Sequence, residues 1–247
     1  MFIISFLFVI IISGDKMEYP NVEFKKLSLK DNVDIVKWAY TQDDSLNTRV
    51  QVEESFPGIN ENNIDTLVTN TYNEVSNNLF ECITNYETYW NSISEYYFKE
   101  LFSYLSLDEY KDKITVYVGI LPIAPRDIYN KEIYINIGMS KNKFLNIMTH
   151  EILHFVWFNK FQKLYPDISI NEFNAPYNPW IYSELVTPII LNRESIIKLT
   201  NSKEECLYDF MDEEVMSNLG EIFSKNTNID DRITEGYEYI KNYFTNN

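Results

Sequence analysis

The sequence predicts an α+β fold that is mostly helical, with a small β-sheet preceding one long buried helix. Three observations carry that reading. Apolar residues recur at three-to-four spacing over much of the chain. Two runs rich in β-branched residues, Lys113 to Leu121 and Glu132 to Gly138, lie close together in mid-sequence. The stretch from about Lys141 to Lys163 has no Gly or Pro and is apolar on most faces, as a buried helix is.

The N-terminus stands apart. Met1 to Ile12 is almost wholly apolar, broken only by Ser5. That is well short of the roughly 20 residues that cross a bilayer, so no stable membrane span is expected. The basic start and small-x-small cleavage site of a signal peptide are also missing. Residues 1–16 therefore read as a mis-assigned start or a short export or anchor segment. Gly14, Asp15 and Lys16 can be encoded by a purine-rich stretch resembling a bacterial ribosome-binding site, just ahead of Met17. A start at Met17 implies a cytoplasmic protein, and the other case an exported or membrane-anchored one. N-terminal sequencing decides, because a mature chain beginning before Met17 excludes the shorter start.

Residues 17–247 read as a single domain, with 17–163 and 164–247 as its lobes if it divides. Asn21 to Leu29 is extended. Ser28, with Asp31 three residues on, marks the start of a helix over Asn32 to Tyr40. Thr41 to Asn47 is polar loop, and Pro57-Gly58 is a turn. From about Glu61 to Leu105 the pattern is helical, with a break near Asn91 or Ser92. Its stripe of aromatic side chains is explained by core packing. The two strands follow, separated by a loop that Pro122 and Pro125 enforce. In the second, Ile133, Ile135 and Ile137 alternate with Tyr134 and Asn136. Ser140 is a good N-cap for the buried helix. Leu164 to Pro179 is a loop with three prolines, and Pro179 opens a helix to about Asn192. Two more helices are expected, about Cys206 to Lys225 and Asp230 to Phe244.

Composition narrows the function. A hydrophobic content of 45% with 16% aromatics builds an ample core and excludes general disorder. A net charge of −16 argues against nucleic acid and anionic membranes as partners, since phosphates require a basic face. Cys82 and Cys206 have no metal-type spacing and are expected to be free, buried thiols.

The buried helix holds the informative residues. His150-Glu151-Ile152-Leu153-His154 is an H-E-x-x-H arrangement, and it uses both histidines of the chain. Chance would place them so on the order of once in a thousand such chains. Residues four apart share a helix face, so two imidazoles can bind one zinc ion with the glutamate beside it as general base. The competing explanation is an amphipathic core helix with two satisfied histidines. Three such groups buried without partners would be costly, and a cation supplies the partner.

Catalytic zinc usually takes three protein ligands. With no third histidine, the third must be a carboxylate or a cysteine. Glu184 is favoured, 30 residues after His154 among apolar Ile181, Leu185 and Ile189. Pro188 removes the helix hydrogen bond to its carbonyl and can bend the helix there. Glu172 is the main competitor, and Glu194 a weaker one.

A strand, a helix bearing His150, Glu151 and His154, and a later helix bearing Glu184 resemble the gluzincin branch of the zincin metallopeptidases. The resemblance covers about Lys113 to Asn192, and only its H-E-x-x-H part is specific. The N-E-x-x-S-D form of the glutamate motif is absent, and no glycine and histidine follow in the metzincin pattern. The resemblance implies a zinc-dependent peptidase acting on a peptide or protein substrate. Zinc would lower the pKa of its water, and Glu151 would take that proton and pass it to the leaving amine. Ile133 to Ile137 would pair with an extended substrate. A tyrosine or arginine would donate to the oxyanion, with Tyr237 chosen and Tyr182 or Arg232 as substitutes. The alternative is a non-catalytic zincin-like protein that uses the metal scaffold for binding. Oligomeric state is left open.

Overall fold

The computed structural model describes residues 18–42, 47–206 and 208–246. The apolar segment 1–16 and Met17 lie outside the described residues, as does the middle of the polar loop after Thr41. Helices make up 60% of the described residues and the four-stranded sheet 9%, so the fold is α+β with a minor sheet. The sheet comprises β1 (Asn21–Lys26), β2 (Lys113–Gly119), β3 (Arg126–Asp127) and β4 (Glu132–Asn136). Its spatial order is β1-β2-β4-β3, parallel except for the antiparallel edge strand β3.

The helices in chain order are α1 (Leu29–Tyr40), α2 (Thr48–Ser55), α3 (Ile64–Val75), α4 (Leu79–Asn91), α5 (Ser94–Leu105), α6 (Lys141–Leu164), α7 (Asn178–Leu191), α8 (Glu194–Thr200), α9 (Glu213–Ser224) and α10 (Ile229–Asn246). Ser28 caps α1 by accepting from the Asp31 N–H. The expected helical region breaks twice, at 76–78 as well as at Ser92 and Ile93. Helices α2 and α8 and the strand β3 were not foreseen, and the helix expected from Cys206 begins only at Glu213. There Asp212 supplies the cap, accepting from Val215 N–H. Cys206 is exposed and Cys82 half-buried, so the expectation of buried thiols is not met, although both are free.

The route into α6 is held firmly. Gly138, at φ 85°, turns the chain where a side chain would be strained. Tyr86 of α4 donates to Asn136 O at 2.9 Å and accepts from Met139 N–H at 2.7 Å, pinning both sides of that turn. Its ring stacks on Phe144 at 4.2 Å. Ser140 then caps α6 by accepting from Lys143 N–H. Tyr97 of α5 donates to the carbonyl of Thr149, just before the histidines. Met148, Ile152, Leu153, Phe155 and Val156 are fully buried, so α6 is a central element of the core.

The strand β4 does not offer the free edge expected for substrate. Its first residues pair with β3, and Tyr134 N–H bonds to Pro125 O at 3.0 Å. On that side of the sheet the edge strand is β3. Among the described residues, no helix is long and apolar enough to cross a membrane.

Candidate metal centre

Helices α6 and α7 pack together and bring His150, His154 and Glu184 to one point. The helix α7 is buried along Tyr182 to Pro188, which leaves Glu184 at 0% exposure. The two Nε2 atoms lie 3.1 Å apart. Glu184 Oε1 is 3.4 Å from His154 Nε2, and its Oε2 is 3.5 Å from His150 Nε2. Ligands around a tetrahedral ion with bonds of 2.0–2.1 Å stand roughly 3.3–3.4 Å apart; the three groups offer ligand atoms within 4.8 Å of one another, with Glu184 facing the two imidazoles through different oxygens, near enough to close on one zinc. Among the described residues Glu184 Oε2 has no hydrogen-bond partner, and a cation would satisfy this buried atom. The ring of His154 is fully buried against Phe158, and its Nδ1 has no hydrogen-bond partner among the described residues.

Two residues that sequence reasoning missed complete the cluster. Arg126, on β3, donates from Nη1 to Glu151 Oε2 at 3.0 Å and from Nη2 to Glu184 Oε1 at 2.8 Å. One guanidinium thus ties the general-base candidate to the candidate third ligand. Glu204, in the segment after α8, lies 2.8 Å from His150 Nδ1. A carboxylate behind a ligating imidazole fixes its tautomer and orientation. Asn192 positions Glu204 by accepting from its N–H at 2.8 Å and donating to its carbonyl at 3.0 Å. No local pattern marks Glu204. Arg126 had a faint signal, as a cation directly after Pro125 in the loop between the two expected strands.

Three carboxylates, Glu151, Glu184 and Glu204, face one guanidinium, and this surplus of negative charge acts on the two imidazoles. Burial alone would raise the Glu184 pKa, but His154 and Arg126 hold it well below the usual carboxylate range. Burial lowers His150, yet the carboxylates of Glu184 and Glu204 outweigh it and push the ring up to about 10. His154 goes the other way, to about 4, through burial and the Arg126 charge.

Glu151 is 7% exposed and faces an open groove. Two cavities of about 500 and 760 Å³ meet at Ala124, Lys143, His150 and Glu151. Arg126 of β3, with Ile123 and Pro125 just before it, lines the larger one.

The other candidates lie elsewhere. The ring of Tyr237 packs on Phe161 at 4.9 Å, Tyr165 at 5.0 Å and Tyr182 at 5.6 Å. Phe161 lies seven residues beyond His154, about 10 Å along the helix, so the structure does not bring Tyr237 to the cluster. The apolar face of α10 claims it for the core. Tyr182 is fully buried and donates to Ile233 O. Arg232 donates to Phe223 O. Glu172 forms a capping box with Ser169, and Glu194 pairs with Lys198 on the surface. Compared with protein-family models, curated proteins and solved structures, the chain matches none of them.

Proposed function

We propose that this protein is a zinc-dependent peptidase of gluzincin-like type. The observation that carries the reading is the His150–His154–Glu184 cluster, with ligand atoms within 4.8 Å of one another and Glu151 beside it at the floor of an open groove. Zinc bound there supplies a Lewis acid that polarises a carbonyl and lowers the pKa of water. Glu151 accepts the water proton and returns it to the leaving amine, the role of a general base turned general acid. Arg126 keeps that carboxylate oriented. It is also a cationic donor in contact with Glu151, and so replaces Tyr237 as the candidate oxyanion donor. Glu204 holds His150 in the tautomer whose Nε2 lone pair faces the site. An extended peptide lies along 123–126, in the groove.

The test compares purified protein with His150→Ala and Glu151→Gln. The reading expects one zinc per chain in the parent, loss of zinc in His150→Ala, and peptide cleavage abolished in Glu151→Gln with zinc retained. Cleavage at an unchanged rate in Glu151→Gln would rule out this mechanism. Zinc retained without cleavage in the parent would favour a non-catalytic metal-binding protein.

A further inference from the structure

The sheet ends in β3, which carries Arg126, on one side and in β1 on the other. Asn21 N–H donates to Asp112 O at 3.2 Å and Leu27 N–H to Val118 O at 2.9 Å, both toward β2. Backbone groups alternate sides along a strand, so Val22, Phe24 and Lys26 turn their N–H and C=O groups outward. Among the described residues no strand pairs with that edge. Such a row is a template for another strand, and lysines along it usually repel one. Here Glu23 stands one residue before Phe24 and Lys25 one after, so the strand is complementary to itself.

We propose that β1 pairs antiparallel with β1 of a second copy, about a two-fold axis at Phe24, and joins the two sheets into one. In that register Phe24 opposes the partner's Phe24 and Val22 opposes the partner's Lys26. These are the outward-facing residues, and each pair exchanges both backbone hydrogen bonds. Glu23 then opposes the partner's Lys25, once on each side of the axis. Pairing centred on Glu23 or on Lys25 would set like charges opposite each other. Pairing centred on Val22 would bring in Pro20, which has no N–H.

The surroundings support the same register. Val22 and Phe24 are only partly buried, and pairing covers them. Val22 borders a hollow of about 320 Å³ together with Trp90, Phe98 and the exposed carboxylate of Glu95. Lys26 is exposed, with its ammonium over the ring of Tyr72 at 5.1 Å. Set opposite Val22, the partner's Lys26 faces that hollow and Glu95. Lys25, Lys26 and Lys113 against Glu23 and Glu95 make the strip slightly basic in a chain of net charge −16, so two copies meet where their repulsion is least. The axis is closed, which limits the assembly to a dimer. The metal centre stays open, because β1 and β3 are opposite edges.

The test is sedimentation equilibrium of the full chain over a series of concentrations. The mass is expected to rise from 29.4 kDa toward twice that value. Val22→Pro removes an outward N–H, as an edge strand tolerates, and should stay monomeric with an unchanged circular dichroism spectrum. Lys25→Glu and Glu23→Lys should each weaken dimerisation roughly tenfold or more, because like charges then face each other. Their equimolar mixture restores both cross-strand pairs and should dimerise as the parent does. Glu23→Cys and Lys25→Cys, each in a Cys206→Ser background, should cross-link when mixed and not alone. A mass fixed at one chain, a dimer that Val22→Pro or the charge variants leave intact, a mixture no tighter than its components, or cross-links absent from the mixture or present in either variant alone would each overturn the proposal.

Discussion

Arg126 and Glu184 form an ion pair, Nη2 to Oε1 at 2.8 Å, in which the carboxylate is wholly buried and the guanidinium nearly so. Removing the cation strands a charge in a poorly solvated site, which costs about 3–5 kcal/mol. Arg126→Ala should therefore destabilise the zinc-free protein by about that amount in urea titrations. Added zinc should restore much of the loss, because it supplies the missing charge. Unchanged stability of the zinc-free variant would show that the pair is not formed in solution.

Glu204 stands behind His150, and Asn192 stands behind Glu204. Loss of a carboxylate behind a metal-binding imidazole typically costs 10- to 100-fold in affinity. Glu204→Gln is expected to weaken zinc binding by about that factor, read by competition with a chelating dye. Asn192→Ala should act in the same direction, and the double variant should lose less than the two effects combined, because both act through one hydrogen bond. Full additivity would separate the two residues.

The proton on His150 gives zinc binding a pH dependence. The adjacent carboxylates raise this group above its ordinary value, to about 10, so the zinc-free site holds a proton at neutral pH. The imidazole must lose that proton before Nε2 can ligate. Affinity should consequently rise with pH, roughly tenfold per unit between pH 6 and 8, and binding should release a proton. Calorimetry in buffers of different ionisation enthalpy measures that release. A pH-independent affinity would contradict the protonated resting state.

Tyr237 provides a control. Its ring packs among Phe161, Tyr165 and Tyr182 and does not join the cluster. Tyr237→Phe keeps that packing and should leave kcat and KM for peptide cleavage unchanged. Tyr237→Ala opens a cavity and should cost about 3–5 kcal/mol of stability. A large fall in kcat in the Phe variant would return the hydroxyl to the mechanism.

What could be read in the sequence was local. A strand, a capped start at Ser140 and an uninterrupted apolar run specify α6, and a four-residue spacing puts both histidines on one face. Glu184 was legible because an acidic residue amid Ile181, Leu185 and Ile189 needs a partner. The break at 76–78 was hidden because no Gly or Pro marks it and apolar spacing continues across it. The strand β3 has two residues, too few for an alternating pattern. Glu204 reaches His150 across 54 positions, and Arg126 reaches Glu184 across 58. Such partners are set by how α6, α7 and the sheet edge meet in space, and no periodicity records that. The same reason bears on Tyr237: α10 offers several tyrosines, and only packing decides which faces the core.

The most direct test of the central claim is a crystal of the protein grown without added metal, measured above and below the zinc absorption edge. The account predicts one anomalous peak, within about 2.0–2.2 Å of His150 Nε2, His154 Nε2 and a Glu184 carboxylate oxygen. A metal held by other residues, or a cluster closed by Arg126 that stays metal-free even after soaking in zinc, would contradict it.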